Sequence, residues 1–195
     1  TSADKKDMTY AELAESCEDV LNTMSVLAKS VKIDIIPSFT TGRDSRARIE
    51  TGVSWVKGDP KATEDSQKPY GNRYSLQPTM DELKTHVTKF LDFMLANKEI
   101  TTSNLVCSYG WNEHEEGGWL CPTLECDENG NPIKDANGNN KANTERLDAL
   151  KEVVDAYRAK EASGETPAPD ITDAPDVTET PGTADTKGGF NALWV

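Results

Sequence analysis

Apolar residues recur at helical spacing in three stretches of the chain. Leu13, Cys17, Val20, Leu21, Met24, Leu27, Ala28 and Val31 predict an amphipathic helix over 9–31. Thr9 is its expected N-cap, with Glu12 completing a capping box. Leu83, Val87, Phe90, Leu91, Met94 and Leu95 predict a second helix over 79–97, again with a Thr-x-x-Glu box at Thr79 and Glu82. Leu147, Leu150, Val153, Val154 and Tyr157 predict a third over 144–160. Between these stretches the period changes. Ile33–Phe39 is short, rich in β-branched residues and interrupted by Pro37, which predicts a buried strand; Leu105–Gly110 predicts another.

Residues 40–78 show no regular period. A connection this long is functional or unstructured. Its Trp55, Tyr70, Tyr74, Arg43, Arg46 and Arg48 favour a functional loop. The Asn-Gly dipeptides at 129–130 and 137–138 predict a surface hairpin within 121–140. No internal repeat is expected. The order helix, strand, loop, helix, strand, loop, helix is that of parallel βαβ units, so the fold class is α/β. In such folds, site loops lie at the carboxyl ends of the strands.

Composition changes along the chain. Residues 161–186 hold seven acids, four prolines and no Lys or Arg, which predicts an acidic Pro/Thr-rich disordered linker over 161–187. Residues 188–195 turn apolar and read as the start of a further module. The net charge of −13 speaks against a nucleic-acid partner, since polyanions recruit Lys and Arg. A neutral glycan stays compatible with it. No apolar run reaches the ~20 residues of a membrane span. Thr1 is not an initiator Met and no signal peptide follows it, so the sequence reads as starting inside a longer polypeptide. The spacing of Cys17, Cys107, Cys121 and Cys126 fits no zinc pattern. Cys17 and Cys107 are expected as buried thiols; Cys121 and Cys126 could pair across a loop.

The densest candidate chemistry is Trp111-Asn112-Glu113-His114-Glu115-Glu116-Gly117-Gly118-Trp119, emerging from the second predicted strand. Glu113 and Glu116 form a carboxylate pair able to divide acid and base roles. Trp111 and Trp119 offer faces on which sugar rings stack. A solvated acidic loop is the plain alternative. A metal on His114 lacks a second nearby histidine, and Asp127-Glu128-Asn129-Gly130-Asn131-Pro132 departs from a calcium loop after its opening. No metal or cofactor is expected. Arg43, Asp44 and Arg46 could contact sugar hydroxyls or form a salt-bridged turn. Trp55 and Tyr74 could line a cleft or pin the loop to the core.

The run Tyr109–Thr123, with Glu113 and Glu116 in its Asn-Glu and Glu-Gly pairs, resembles the last-strand motif of the glycoside hydrolase family 99-like group, which includes endo-α-mannosidases. Pro37-Ser38-Phe39-Thr40-Thr41-Gly42-Arg43-Asp44 is similar to a preceding strand and loop of those proteins. The resemblance covers about residues 9–160. It implies a (β/α)8 TIM barrel, with Glu116 as general acid/base at the glycosidic oxygen. It also implies Glu113 as the base that assists attack by the substrate's own 2-hydroxyl. His114-Glu115 stands where the family more often has an aromatic residue followed by His.

A closed barrel needs at least about 200 residues. Residues 1–160 therefore read as the C-terminal portion of such a barrel. The expected function is glycoside hydrolysis of α-linked, mannose-containing glycans, with Trp111, Asn112, Trp119, Trp55, Arg43 and Tyr74 as substrate contacts. The fragment alone is expected to be inactive. A non-catalytic carbohydrate-binding or cell-surface interaction module is the alternative. The linker suits a secreted or cell-surface, multimodular bacterial protein, and a monomer is expected.

Overall fold

The computed structural model describes residues 8–44 and 75–165. Trp55, Tyr74, Arg46, most of the long loop, the linker beyond 165 and the segment 188–195 lie outside the described residues.

Helix α1 spans Tyr10–Val31. The Thr9 hydroxyl accepts from the Glu12 N–H at 3.2 Å, and the Glu12 carboxylate accepts from the Thr9 N–H at 2.7 Å. This reciprocal box satisfies donors that the first turn leaves open. Lys32 ends the helix in the left-handed region, at φ 58°. Lys32→Gly should raise stability by about 0.5–1 kcal/mol, because glycine adopts that conformation without a Cβ clash. The urea midpoint measures it; a fall would mean that the Lys32 side chain holds a contact worth more than the strain.

Helix α2 spans Met80–Ala96 and starts with the same kind of box at Thr79 and Glu82. Helix α3 spans Glu145–Ser163 and ends at Gly164 in the left-handed region. All three helices thus form where periodicity predicts them, and α1 and α2 start at the predicted caps. Their inner faces meet in one core, to which α1 contributes Leu21 and Ala28, α2 contributes Leu83 and Phe90, and α3 contributes Val153 and Tyr157. Burying each such large side chain stabilises by roughly 1.5–3 kcal/mol.

The outer side of α1 departs from expectation. Val20, Met24, Leu27 and Val31 share the predicted apolar face with Leu21 and Ala28, yet they are exposed, Val20 at 62 % and Leu27 at 56 %. The apolar arc of this helix is wider than the described residues cover. Ile33, Ile36 and Leu105 add further exposed apolar surface.

The strands are shorter than predicted. β1 is Ser38–Thr40 and β2 is Cys107–Tyr109. They pair in parallel, with Ser38 opposite Cys107, Phe39 opposite Ser108 and Thr40 opposite Tyr109. Ile33–Pro37 lies outside β1; Ile35 donates instead to the Ile100 carbonyl at 2.8 Å. Phe39 points into the helical core. Alternation then turns Ser38 and Cys107 to the opposite face. Cys107 is therefore exposed rather than buried, and Cys17 is half-buried against the core. All four cysteines are free, so Cys121 and Cys126 are not bridged.

β3 (Asn112–Glu113) and β4 (Gly118–Trp119) form one antiparallel hairpin; β5 (Thr123–Leu124) and β6 (Ala142–Asn143) form another. Between β5 and β6 lies an eight-residue repeat that was not expected. Asp127-Glu128-Asn129-Gly130-Asn131 and Asp135-Ala136-Asn137-Gly138-Asn139 fold alike. Each Asp side chain accepts from the N–H groups two and four residues on, at 2.8–2.9 Å. These backbone donors hold both carboxyls below the usual carboxylate range, led by Asn131 at Asp127 and by Asn139 at Asp135. Asp127, the acid at the opening of the run that had suggested a calcium loop, accepts from the backbone of Asn129 and Asn131. Three residues eight apart close a backbone ring. Glu125 donates to the Lys141 carbonyl, Lys141 to that of Ile133, and Ile133 to that of Glu125.

Candidate active site

The loops that leave β1 and β2 at their carboxyl ends lie against one another. Thr41 donates to the Tyr109 carbonyl through its N–H at 2.8 Å and through its hydroxyl at 3.0 Å. The Tyr109–Gly110 peptide bond is cis. The chain then enters β3, makes one 3₁₀ turn over His114–Glu116, and returns through β4. Glu113 thus stands at the end of β3 and Glu116 at the end of the turn. Both are half-buried, and the Tyr109 hydroxyl donates to the Glu116 carboxylate.

Two glycines allow this approach. Gly117 lies at φ 74°, and a Cβ there would sit 2.4 Å from the Asp44 nitrogen. A Cβ on Gly42 would sit 2.4 Å from the Gly117 carbonyl oxygen. The Asp44 N–H donates to the Glu116 carbonyl, which ties the two loops together. Gly117→Ala adds left-handed strain and a backbone clash, so it should cost about 2–4 kcal/mol. Chemical denaturation measures the loss. A cost below about 1 kcal/mol would show that the loops separate easily.

Arg146 of α3 is buried beneath this junction, and sequence reasoning missed it. Its guanidinium donates to the Thr41 carbonyl at 2.9 Å, the Trp119 carbonyl at 3.0 Å and the Gln77 amide oxygen at 2.7 Å. It also lies 3.7 Å above the centre of the Trp119 ring. Three acceptors from three segments converge on one planar fork, which suits Arg and not Lys. Burial pushes this guanidinium down to about 10, with Tyr10 working in the opposite direction. It stays charged at neutral pH.

The two tryptophans of the motif differ in position. Trp119 is half-buried, with one face under Arg146 and its ring 5.4 Å from that of His114. Trp111 is 57 % exposed, and its carbonyl accepts from Leu120 and Cys121, both at 2.9 Å. Trp111 therefore offers the freer stacking surface. Asn112 is exposed on β3 opposite Trp119, and Arg43 is half-buried, its carbonyl accepting from Ser75 at 2.6 Å. Cys121 lies with its sulfur 3.3 Å from His114 Nε2.

No family model, curated protein or solved structure matches the chain. Glu113, Glu116, Trp111, Asn112 and Trp119 come together on one hairpin at the carboxyl ends of two parallel strands, with Arg43 on the neighbouring loop. Among the described residues, no group of three or more His, Cys, Asp or Glu is placed to hold a metal. No helix among them is long and apolar enough to cross a membrane.

Proposed function

We propose that the chain is the C-terminal part of a (β/α)8 catalytic domain that hydrolyses α-linked, mannose-containing glycans, with Glu113 and Glu116 as its acid/base pair. The observation that carries this reading is the position of the pair. Two carboxylates ride on one tight hairpin directly beyond the carboxyl end of a parallel strand, where α/β folds present their reacting groups. The exposed stripe on α1 fits flanking βα units. The face carrying Ser38 and Cys107 would then turn toward the barrel axis.

In the proposed reaction, Glu116 protonates the leaving glycosidic oxygen. Glu113 takes the proton of the 2-hydroxyl, whose oxygen attacks the anomeric carbon to give an anhydro sugar. Water then opens that ring, giving its proton to Glu116, while Glu113 returns a proton to the 2-oxygen. The anomeric configuration is retained. Tyr109 holds the Glu116 carboxylate in place, and Trp111 supplies a stacking face. A secreted or cell-surface setting fits the acidic Pro/Thr-rich segment after 161.

The test is a panel of α-linked glycans offered to the longest native polypeptide containing this chain. Release of reducing sugar with retained anomeric configuration supports the reading. Binding without turnover would replace it with a carbohydrate-binding module, and no binding at all would remove the saccharide altogether.

A further inference from the structure

Two buried side chains grip the same peptide at the end of β1. From α1, the Tyr10 hydroxyl donates to the Thr40 carbonyl at 2.7 Å. From α2, His86 Nε2 accepts from the Thr40 N–H at 3.4 Å. Both are 1 % exposed, and their rings meet edge to face with centroids 5.8 Å apart. The next residue, Thr41, carries both hydrogen bonds to Tyr109, and Tyr109 in turn holds Glu116. The grip on Thr40 thus lies at the base of the candidate site.

The bond from Thr40 fixes the state of the imidazole. A backbone N–H can only donate, so Nε2 must hold a lone pair and Nδ1 the proton. Nδ1 faces Glu18 Oε1 at 3.6 Å, beyond hydrogen-bond reach, and has no other partner among the described residues. Lys89 clamps the other oxygen of Glu18 at 2.7 Å. Glu15, Asp81 and Glu82 line the cleft between α1 and α2 beside the ring. β1 presents only Phe39 and the Thr40 peptide.

The geometry points to an acid-sensitive latch: a proton added to His86 Nε2 turns its only acceptor for Thr40 into a donor, and so releases the backbone that carries the candidate site. A donor facing a donor leaves the Thr40 N–H without its partner. The new charge would turn toward Glu18 instead. Burial favours the neutral ring and holds its pKa below the usual value, with Glu18 opposing and Lys89 reinforcing. The sign follows. The unfolded chain takes up this proton first, near pH ~6.5, so stability is lost as pH falls from there to the lower folded value. The latch does not depend on the glycosidase reading, because it concerns the backbone at Thr40 whatever the site does.

Amide exchange on the full chain tests it. After correction for intrinsic rates, protection at Thr40 should fall by up to about tenfold per pH unit as His86 titrates. It should fall more steeply than at Leu91, which reports wider opening of α2. His86→Gln can accept from Thr40 and donate toward Glu18 without titrating, so its Thr40 protection should follow Leu91 at every pH. Equal slopes at Thr40 and Leu91 in the unmutated protein, or a Thr40 slope unchanged in His86→Gln, would overturn the latch. If that variant does not fold, ring-nitrogen NMR of the unmutated protein decides. Neutral His86 protonated at Nδ1 supports it, and protonation at Nε2 overturns it.

Discussion

Arg146→Ala should lower the free energy of unfolding by about 3 kcal/mol or more, since hydrogen bonds from a charged donor contribute roughly 1.5–3 kcal/mol each. The substitution removes three such bonds and leaves the carbonyls of Thr41 and Trp119 and the Gln77 amide oxygen without their donor. It also uncovers the Trp119 face. Removing a buried cation returns part of the cost, which keeps the figure below the plain sum. For a unit of this size the loss corresponds to a fall in Tm of roughly 10 °C. Arg146→Lys keeps the charge but not the fork, so it should lose most of the same stability. Arg158 is exposed on the same helix, and Arg158→Ala should stay within about 0.5 kcal/mol. Thermal and chemical denaturation of the three variants measures the contrast. A change below about 1 kcal/mol for Arg146→Ala would show that the loops hold together without it.

The same residue explains where the sequence was readable and where it was not. The three helices announced themselves through 3.6-residue spacing, and α1 and α2 also through Thr-x-x-Glu boxes, because both signals are local. The parallel pairing of β1 and β2 followed from the alternation of helices and strands. Arg146 was passed over because a charged residue in the first turn of a helix normally faces water. The signal was its phase: it precedes Ala149, Val153 and Tyr157 at helical spacing, on the buried face. His86 is in phase with Leu83, Val87 and Phe90 in the same way.

Long-range geometry was less legible. Nothing local marks Val20, Met24, Leu27 and Val31 as the exposed half of an apolar arc, because exposure depends on tertiary packing rather than on spacing. The ring of Glu125, Ile133 and Lys141 is closed by backbone groups, so its three side chains share no chemistry that a sequence pattern would reveal. The paired Asp-x-Asn-Gly-Asn runs were the visible trace of it. In the candidate site, Glu113 and Glu116 stood out by composition, and the structure adds their supports: Tyr109 on Glu116, Gly42 against Gly117, and Arg146 beneath the junction. It also separates the two tryptophans, leaving Trp111 the more open and turning one face of Trp119 to Arg146.

The proposed chemistry asks most of Glu116, which must give a proton to the leaving oxygen and later take one from water. Glu116→Gln keeps the shape of the side chain and much of its hydrogen bonding, yet it can do neither. A positioned acid/base contributes about 10²- to 10⁴-fold to the rate. The most direct measurement is hydrolysis of an α-mannosyl glycan by the longest native polypeptide and by its Glu116→Gln variant, with binding of the same glycan followed in parallel by calorimetry. A fall in turnover of at least about 10²-fold with binding retained is the predicted result; turnover unchanged in the variant would contradict the assignment.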